Sequence, residues 1–530
     1  MATVTSTPIS TAWRSRAGVA QESLARTPWQ VIGLAAVFAA GASLWSAHSG
    51  SMTLYNDAKS HLDIARRVTD ALTPGLAQLG TVWLPLQQLL LVPFVAIEPL
   101  WHSGAAGAIV SGIAFVYAAV RVYGLATEWF GSRLVAWTAF TIFVTNPNVL
   151  YMQSTALQEP LLLAFLLGTA YHLSRWTRTF AFPDLIASAV LTFCATLTRY
   201  DGWALFAGAL ALLLVWGLRH DRRSGSTEAN VLVFAIVGGY GIGLWLLYNL
   251  IIFHNPWAWY NGQYSAQAQQ AVSEHLGQLP TAHNLGLSVL NYGWDILDVC
   301  SVGVALLAAV GIVTMLARGR GRGRGRDRSL FLVALLCAPV FFNVASLYLG
   351  QSVVEVPQVA PFNLFNDRYG IMALPLLVMC AAALVAWRQW LAPMVIAVAL
   401  AGAALAVWQT PITLADGISG VSEANSQASS QVAGYLGSHY RGGRVLADDS
   451  RVDPLEFSSG LPLRDFVVVG FQPYYGEAVV DPAAHVEWVI AAARDAIAQD
   501  IHDHPRRFLR YRLVMRRGPI LVFRRTAAQA

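Results

Sequence analysis

The sequence predicts an all-α polytopic membrane domain with a small α/β domain at its C-terminal end. Three observations predict it. Only 12% of the 530 residues are charged and 55% are hydrophobic, against roughly 25% charged in ordinary soluble domains. Apolar stretches of about 17–25 residues, the length that crosses a bilayer core, recur along the chain. The arginines between them fall in alternate loops, as expected for loops on the cytoplasmic side. The net charge of +5 is spread over those short loops, which argues against nucleic acid as a partner. Cys194, Cys300, Cys337 and Cys380 lie in or beside apolar segments, without a CxxC pair or metal-ligand spacing, and read as small core residues.

Residues 1–28 are polar, carry Arg14, Arg16 and Arg26, and read as a cytoplasmic tail. The membrane domain follows over 29–410. Spans are expected near 29–47, 104–124, 133–150, 160–176, 184–199, 202–218, 231–252, 298–317, 329–349, 370–387 and 390–409, about eleven transmembrane helices. With the N-terminus inside, the even-numbered spans end inside. Arg121 and Arg133 follow the second, Arg175 and Arg178 the fourth, RHDRR (219–223) the sixth, RGRGRGRGRDR (318–328) the eighth and Arg388 the tenth. The arginine-glycine run reads as a topology anchor touching anionic lipid rather than an RNA-binding arm. The apolar run 84-LPLQQLLLVPFVAIEPLW-101 contains Pro85, Pro93, Pro99 and Glu98. Counting it as a span would reverse every later loop, so it is expected as an interfacial or re-entrant helix on the outer side.

Regions 48–103, 253–297 and 411–530 then fall outside, the last as a separate extracytoplasmic domain. In it the pattern predicts a helix over 421–438, strands at 444-RVLADD-449 and 466-FVVVG-470, a second helix over 484–499, and a hairpin over 511–525 turning at Gly518-Pro519. There is no internal repeat, Walker motif or dinucleotide fingerprint, which argues against an ATP-driven pump.

The charges near the outer ends are the candidates for chemistry. In 55-YNDAKSHLDIARR-67, helical spacing puts Lys59, Asp63 and Arg67 on one face, where they can form a solvated ion-pair stripe, with Lys59 also a candidate phosphate ligand. Asp57 lies on the other face with Ser60, His61 and Ile64, either as the helix N-cap or as a carboxylate facing a pocket under the outer loops. Glu159, in 151-YMQSTALQEPLLL-163, opens the fourth span, with Pro160 suited to a first helical turn. It is a dipole-favoured terminal acid or a second catalytic acid. Arg199, in 198-TRYDGW-203, pairs locally with Asp201 or holds a ligand. Arg368, in 366-NDRYGIMALP-375, sits on the outer side, where arginine is disfavoured. A phosphate is its natural partner, and Asp367 or Glu355 are the competing ones. The loop 253-FHNPWAWYNGQYSAQAQQ-270, with Tyr260, is rich in aromatics and amides, as are surfaces that bind sugars, lipid head groups or the membrane interface.

In their order and sidedness these residues resemble the GT-C membrane glycosyltransferases, in particular the branch of the protein O-mannosyltransferases and the bacterial aminoarabinose transferases of lipid A. The resemblance covers roughly 29–410. It rests on Asp57 after the first span, the proline-bearing segment 84–101, Glu159 at the fourth span, the F-x-N-P phrase at 253–256, and Arg368-Tyr369 with Pro375 opening a late span. It implies a polyprenyl-phosphate-linked sugar donor and an inverting transfer to a hydroxyl of a lipid, glycan or protein acceptor at the outer face of the cell membrane. It implies Asp57 as general base and Arg368, with Lys59 or Arg199, at the donor phosphate. His61, Tyr260 and Tyr369 are expected at the substrate. Asn56-Asp57 stands where the mannosyltransferases carry an Asp-Glu pair, which leaves a divalent metal open and names no metal ligand. Elementary chemistry agrees: a hydroxyl needs a carboxylate to take its proton, and a leaving lipid phosphate needs a cation rather than an acid. The rival class is a polytopic transporter or flippase of lipid-linked glycans. Its mark would be paired halves and ionisable groups at mid-membrane.

Overall fold

The computed structural model describes residues 28–526 except 221–225, 263–264, 276–278, 319–323, 449–451, 453–454, 470–472 and 494. Nearly all of the expected N-terminal tail, part of RHDRR and the centre of the arginine-glycine run lie outside the described residues.

Seven described helices are long and apolar enough to cross a membrane: Trp29–Ser49, Ala105–Phe130, Asp201–His220, Ser226–Phe253, Gly325–Tyr348, Tyr369–Trp387 and Gln389–Ser422. The pair Leu285–Cys300 and Val302–Met315, bent by 108°, makes an eighth if it is one span. The sequence expectation of eleven exceeds this number for identifiable reasons. Arg133–Val144 and Phe182–Thr196 are apolar but hold only 12 and 15 residues. At about 1.5 Å per residue they are roughly 18 and 22 Å long, short of a hydrocarbon core of about 30 Å. Glu159–Thr179 is long enough at 21 residues but carries Arg175 and Arg178 in its last turns. The run 84–101 breaks as its prolines predict. Leu86–Val95 holds 10 residues with Pro93 inside, Ile97 is extended, and Glu98–His102 follows.

Ion pairs sort the helix ends. Glu128, at the end of Ala105–Phe130, accepts from Arg328 (2.8 Å) and Arg178 (3.1 Å), and His220 Nε2 lies 3.3 Å from Asp327. The arginine-bearing loops after the second, fourth, sixth and eighth expected spans therefore share one end of the bundle. Arg121 lies inside its helix, its guanidinium over the rings of Tyr117 and Tyr171.

Beyond Ser422 the chain builds a five-stranded sheet in the order β2-β1-β3-β5-β4, with β1 Val445–Leu446, β2 Phe466–Val467, β3 Trp488–Ala492, β4 Tyr511–Arg517 and β5 Ile520–Arg525. Strand β1 is parallel to β2 and β3, while β5 is antiparallel to β3 and β4. The helix expected over 484–499 is corrected. Its centre, WVIAA, is strand β3 with all five residues buried, and a helix begins only at Ala496, capped by Asp495. A short, fully apolar run has no periodicity to tell a buried strand from a buried helix. Ala424–His439 packs Val432 and Leu436 on one face of the sheet, and Ile497 and Phe508 pack on the other.

This unit closes over the Asn56–Arg67 helix, and that overturns the solvated stripe. Lys59 and Asp63 are buried. Asp63 accepts from Trp101 Nε1 at 3.1 Å, Arg67 pairs with Glu456, and Arg464 reaches Asp70 at 3.3 Å. Helical spacing defined the face correctly but could not show what covers it.

Candidate active site

The Asn56–Arg67 helix opens with Tyr55 at the N-cap and no side-chain cap bond, and Asp57 stands in its first turn. Asp57 is therefore not the cap, and its carboxylate accepts from Arg368 Nη2 instead. Arg368 immediately precedes the single tight turn Tyr369–Ala373, which runs into Leu374–Trp387. Its Nε donates to Glu159 Oε1 at 3.1 Å. Glu159 is the first residue of its own helix, with Pro160 in the first turn as expected. The same Oε1 accepts from Arg199 Nη1 at 2.7 Å. Arg199 Nε donates to Asp201 Oδ2 at 3.1 Å, and Asn343 Nδ2 donates to Asp201 Oδ1 at 2.7 Å.

One alternating chain, Asp57–Arg368–Glu159–Arg199–Asp201, thus joins segments far apart in sequence. The local partners proposed for Arg368 are occupied elsewhere: Asp367 accepts from the Phe365 backbone and Glu355 from Asn363. Arg199 keeps its local pair and gains Glu159. Aromatic faces fix the guanidiniums. Arg368 lies 4.9 Å from the Tyr55 ring centroid and 5.3 Å from that of Tyr369, and Arg199 lies 4.9 Å from Tyr369. Tyr55 in turn donates to Asp416 Oδ2 at 2.8 Å.

Exposure distinguishes the members. The Asp57 side chain is 38% exposed, against 5% for Arg368 and 1% for Glu159. Asp57 is the carboxylate a substrate can reach. Burial acts to raise its pKa, but Arg368, His61 and Arg199 more than offset this and hold it below the usual carboxylate value. Burial acts to lower Arg368, and Asp57, Tyr369 and Glu159 prevail, leaving it raised and permanently charged.

The other expected residues divide. Tyr369 belongs to the cluster. His61 lies beneath it, buried, with Nδ1 at 3.0 Å from Gln88 Nε2 and its ring against Trp83. Burial pushes His61 down to about 4, against the pull of Asp57 and Glu159, so it is neutral at physiological pH. Lys59 is buried and acts on Asp63. Tyr260 is exposed and reaches the site only through rings, packing on Trp259, which stacks on Tyr200 beside Arg199. Sequence reasoning missed Tyr55, Asn343 and Asp416. A signal for the last two existed, since Asn343 is the lone amide in the apolar stretch 330–345 and Asp416 the one charged residue of Ile412–Ser422. Among the described residues no group of three or more His, Cys, Asp or Glu is placed to hold a metal ion.

No family model matches the sequence, and no curated protein matches it either. In fold the chain is similar to ArnT from Cupriavidus metallidurans, whose crystal structure in the apo state superposes with a TM-score of 0.54 at 13% identity, covering 88% of this chain and 92% of that one. The likeness shows the fold. With its helices of spanning length, the chain is a multi-pass membrane protein.

Proposed function

We propose that this protein is a membrane glycosyltransferase that moves a sugar from a polyprenyl-phosphate donor to an acceptor hydroxyl at the outer face of the membrane. The observation that carries the reading is the charge chain itself. A buried arginine is anchored from behind by Glu159 and faces the reachable carboxylate Asp57, at the bundle end opposite the arginine-bearing loops. An ArnT-like fold supports a lipid-linked donor. In this reading Asp57 takes the acceptor proton as the hydroxyl oxygen attacks the anomeric carbon, and the configuration inverts. The bond from that carbon to the phosphate oxygen breaks, and the electron pair leaves with the lipid phosphate. Arg368 meets the charge that develops there, the kind of preorganised electrostatic contact that contributes most to such a step. Glu159 and Arg199 act behind Arg368. Both are paired and largely buried, so neither is the base.

The test is incubation of purified protein with a panel of radiolabelled polyprenyl-phosphate sugars and membrane-derived acceptors. Asp57→Asn is expected to transfer roughly 10²–10⁴ times more slowly than the unchanged protein. Near-normal transfer by Asp57→Asn, or no transfer by the unchanged protein with any donor, overturns the reading.

A further inference from the structure

We infer that Asp57 and the phosphate of the lipid donor compete for the same edge of Arg368, so that donor arrival frees the carboxylate to act and its later deprotonation expels the spent lipid phosphate. The inference rests on the reading of Asp57 as base and Arg368 as phosphate ligand. Its basis is an asymmetry in how the two acids hold Arg368. Glu159 accepts from both Arg368 and Arg199 through one oxygen and is 1% exposed. It cannot leave without taking a partner from two largely buried guanidiniums at once. Asp57 is 38% exposed and holds Arg368 through Nη2, so it can turn out into water. A phosphate oxygen arriving from the open side can replace Asp57 on Nη2. The Nε bond to Glu159 and the rings of Tyr55 and Tyr369 keep the guanidinium in place meanwhile.

The consequences follow the proton. While paired, the Asp57 carboxylate spends its acceptor capacity on Arg368, and a carboxylate stabilised by a cation is a weaker base. Once displaced it loses that partner and stands near a phosphate anion, and both changes raise its basicity. It then takes the acceptor proton as the new carbon–oxygen bond forms and the old one breaks. The neutral carboxyl no longer competes for Arg368, so the lipid phosphate stays bound. When Asp57 gives its proton to water, the carboxylate returns to Arg368 and displaces the product.

The experiment is a binding titration of a polyprenyl monophosphate, the part common to every such donor and product, in detergent micelles. It uses the unchanged protein, Asp57→Asn, Arg368→Ala and the double variant. Asp57→Asn is expected to bind about tenfold more tightly, since removing a charged competitor frees a charge-assisted contact, and Arg368→Ala more weakly. Removing any negative charge near an anion site also strengthens binding, and the double variant separates the two effects. Competition predicts that Asp57→Asn gives no gain once Arg368 is absent. Unchanged or weaker binding by Asp57→Asn overturns the inference, as does a gain that persists in the double variant. Asp57→Ser, measured alongside with a melting curve, keeps the test decisive if Asp57→Asn folds poorly. A transfer assay on the same variants keeps the two readings apart. Tighter binding with normal transfer removes the base, whereas lost transfer with unchanged binding removes the competition.

Discussion

Glu159 Oε1 accepts from two guanidiniums at once, and its Oε2 is buried without a partner among the described residues. Glu159→Ala therefore leaves Arg199 leaning on Asp201 alone and Arg368 on Asp57 alone. Breaking a buried pair in this way costs about 3–5 kcal/mol. The expected result is a lower apparent melting temperature in detergent together with weaker donor binding, and an unchanged melting temperature counts against the shared-oxygen arrangement. A neighbouring residue offers a pH test. Burial, with Asp416, Asp298 and Glu355 nearby, pushes Asp367 from 3.8 up to about 9. Below pH 4 folded and unfolded chains are both protonated there. As pH rises the unfolded chain ionises first, so the stability associated with this group is lost up to about pH 9. Asp367→Asn does not titrate, and is expected to melt at a higher temperature than the unchanged protein at pH 9 and with a flatter pH dependence. An identical pH profile for the two proteins would remove this role. At this scale the sequence singled out four charges that the structure joins, and was mute about their pairing. Asp57, Glu159, Arg199 and Arg368 stand out as charges at apolar ends. Their partners are set by helix packing, as Arg368 shows by ignoring its neighbour Asp367 for residues 311 and 209 positions away.

Among the elements, helix periodicity was legible wherever a helix is half covered, and failed where a segment is buried all round, as in β3. The Asn56–Arg67 helix shows the same limit from another side. Its two faces are correct, but the face assigned to water meets the C-terminal unit. Glycine marks the closest approach between elements. A Cβ on Gly311 would lie 1.8 Å from the Cys380 carbonyl oxygen. That neighbour is helix backbone and cannot swing aside. Gly311→Ala is expected to push the Val302–Arg318 and Leu374–Trp387 helices apart and cost about 1–3 kcal/mol or more. The check is detergent melting of Gly311→Ala beside Gly325→Ala, whose Cβ meets nothing within 4 Å. Equal melting of the two variants would contradict the close contact.

For the whole molecule, the ion pairs at one end and the charge chain at the other define two faces. We propose from the distribution of arginines that the Glu128–Arg178–Arg328 end faces the cytoplasm and the sheet beyond Ser422 the outside. Single cysteines at Thr179 and Ser438, both exposed, in a background lacking the four native cysteines, test this with a membrane-impermeant thiol reagent on intact cells. Label at Ser438 and none at Thr179 is expected, and label on the same side at both positions sinks the assignment. Alternation of arginine-bearing loops was readable because it depends only on loop order. The number of spans was less so, since whether a 12-residue apolar helix crosses depends on its neighbours.

The wide spacing of the charge chain also bears on how the protein is made. Glu159 emerges before Arg199 by 40 residues, but Asp57 waits 311 residues for Arg368. At roughly 5–20 residues per second, that wait is about 15–60 s of synthesis. During that interval the first helices are already in place around an incomplete centre. A chain cut short between residues 159 and 368 has its early helices and both acids and still lacks the arginine that joins them, so on the proposed mechanism such products are expected to be inactive however well they insert.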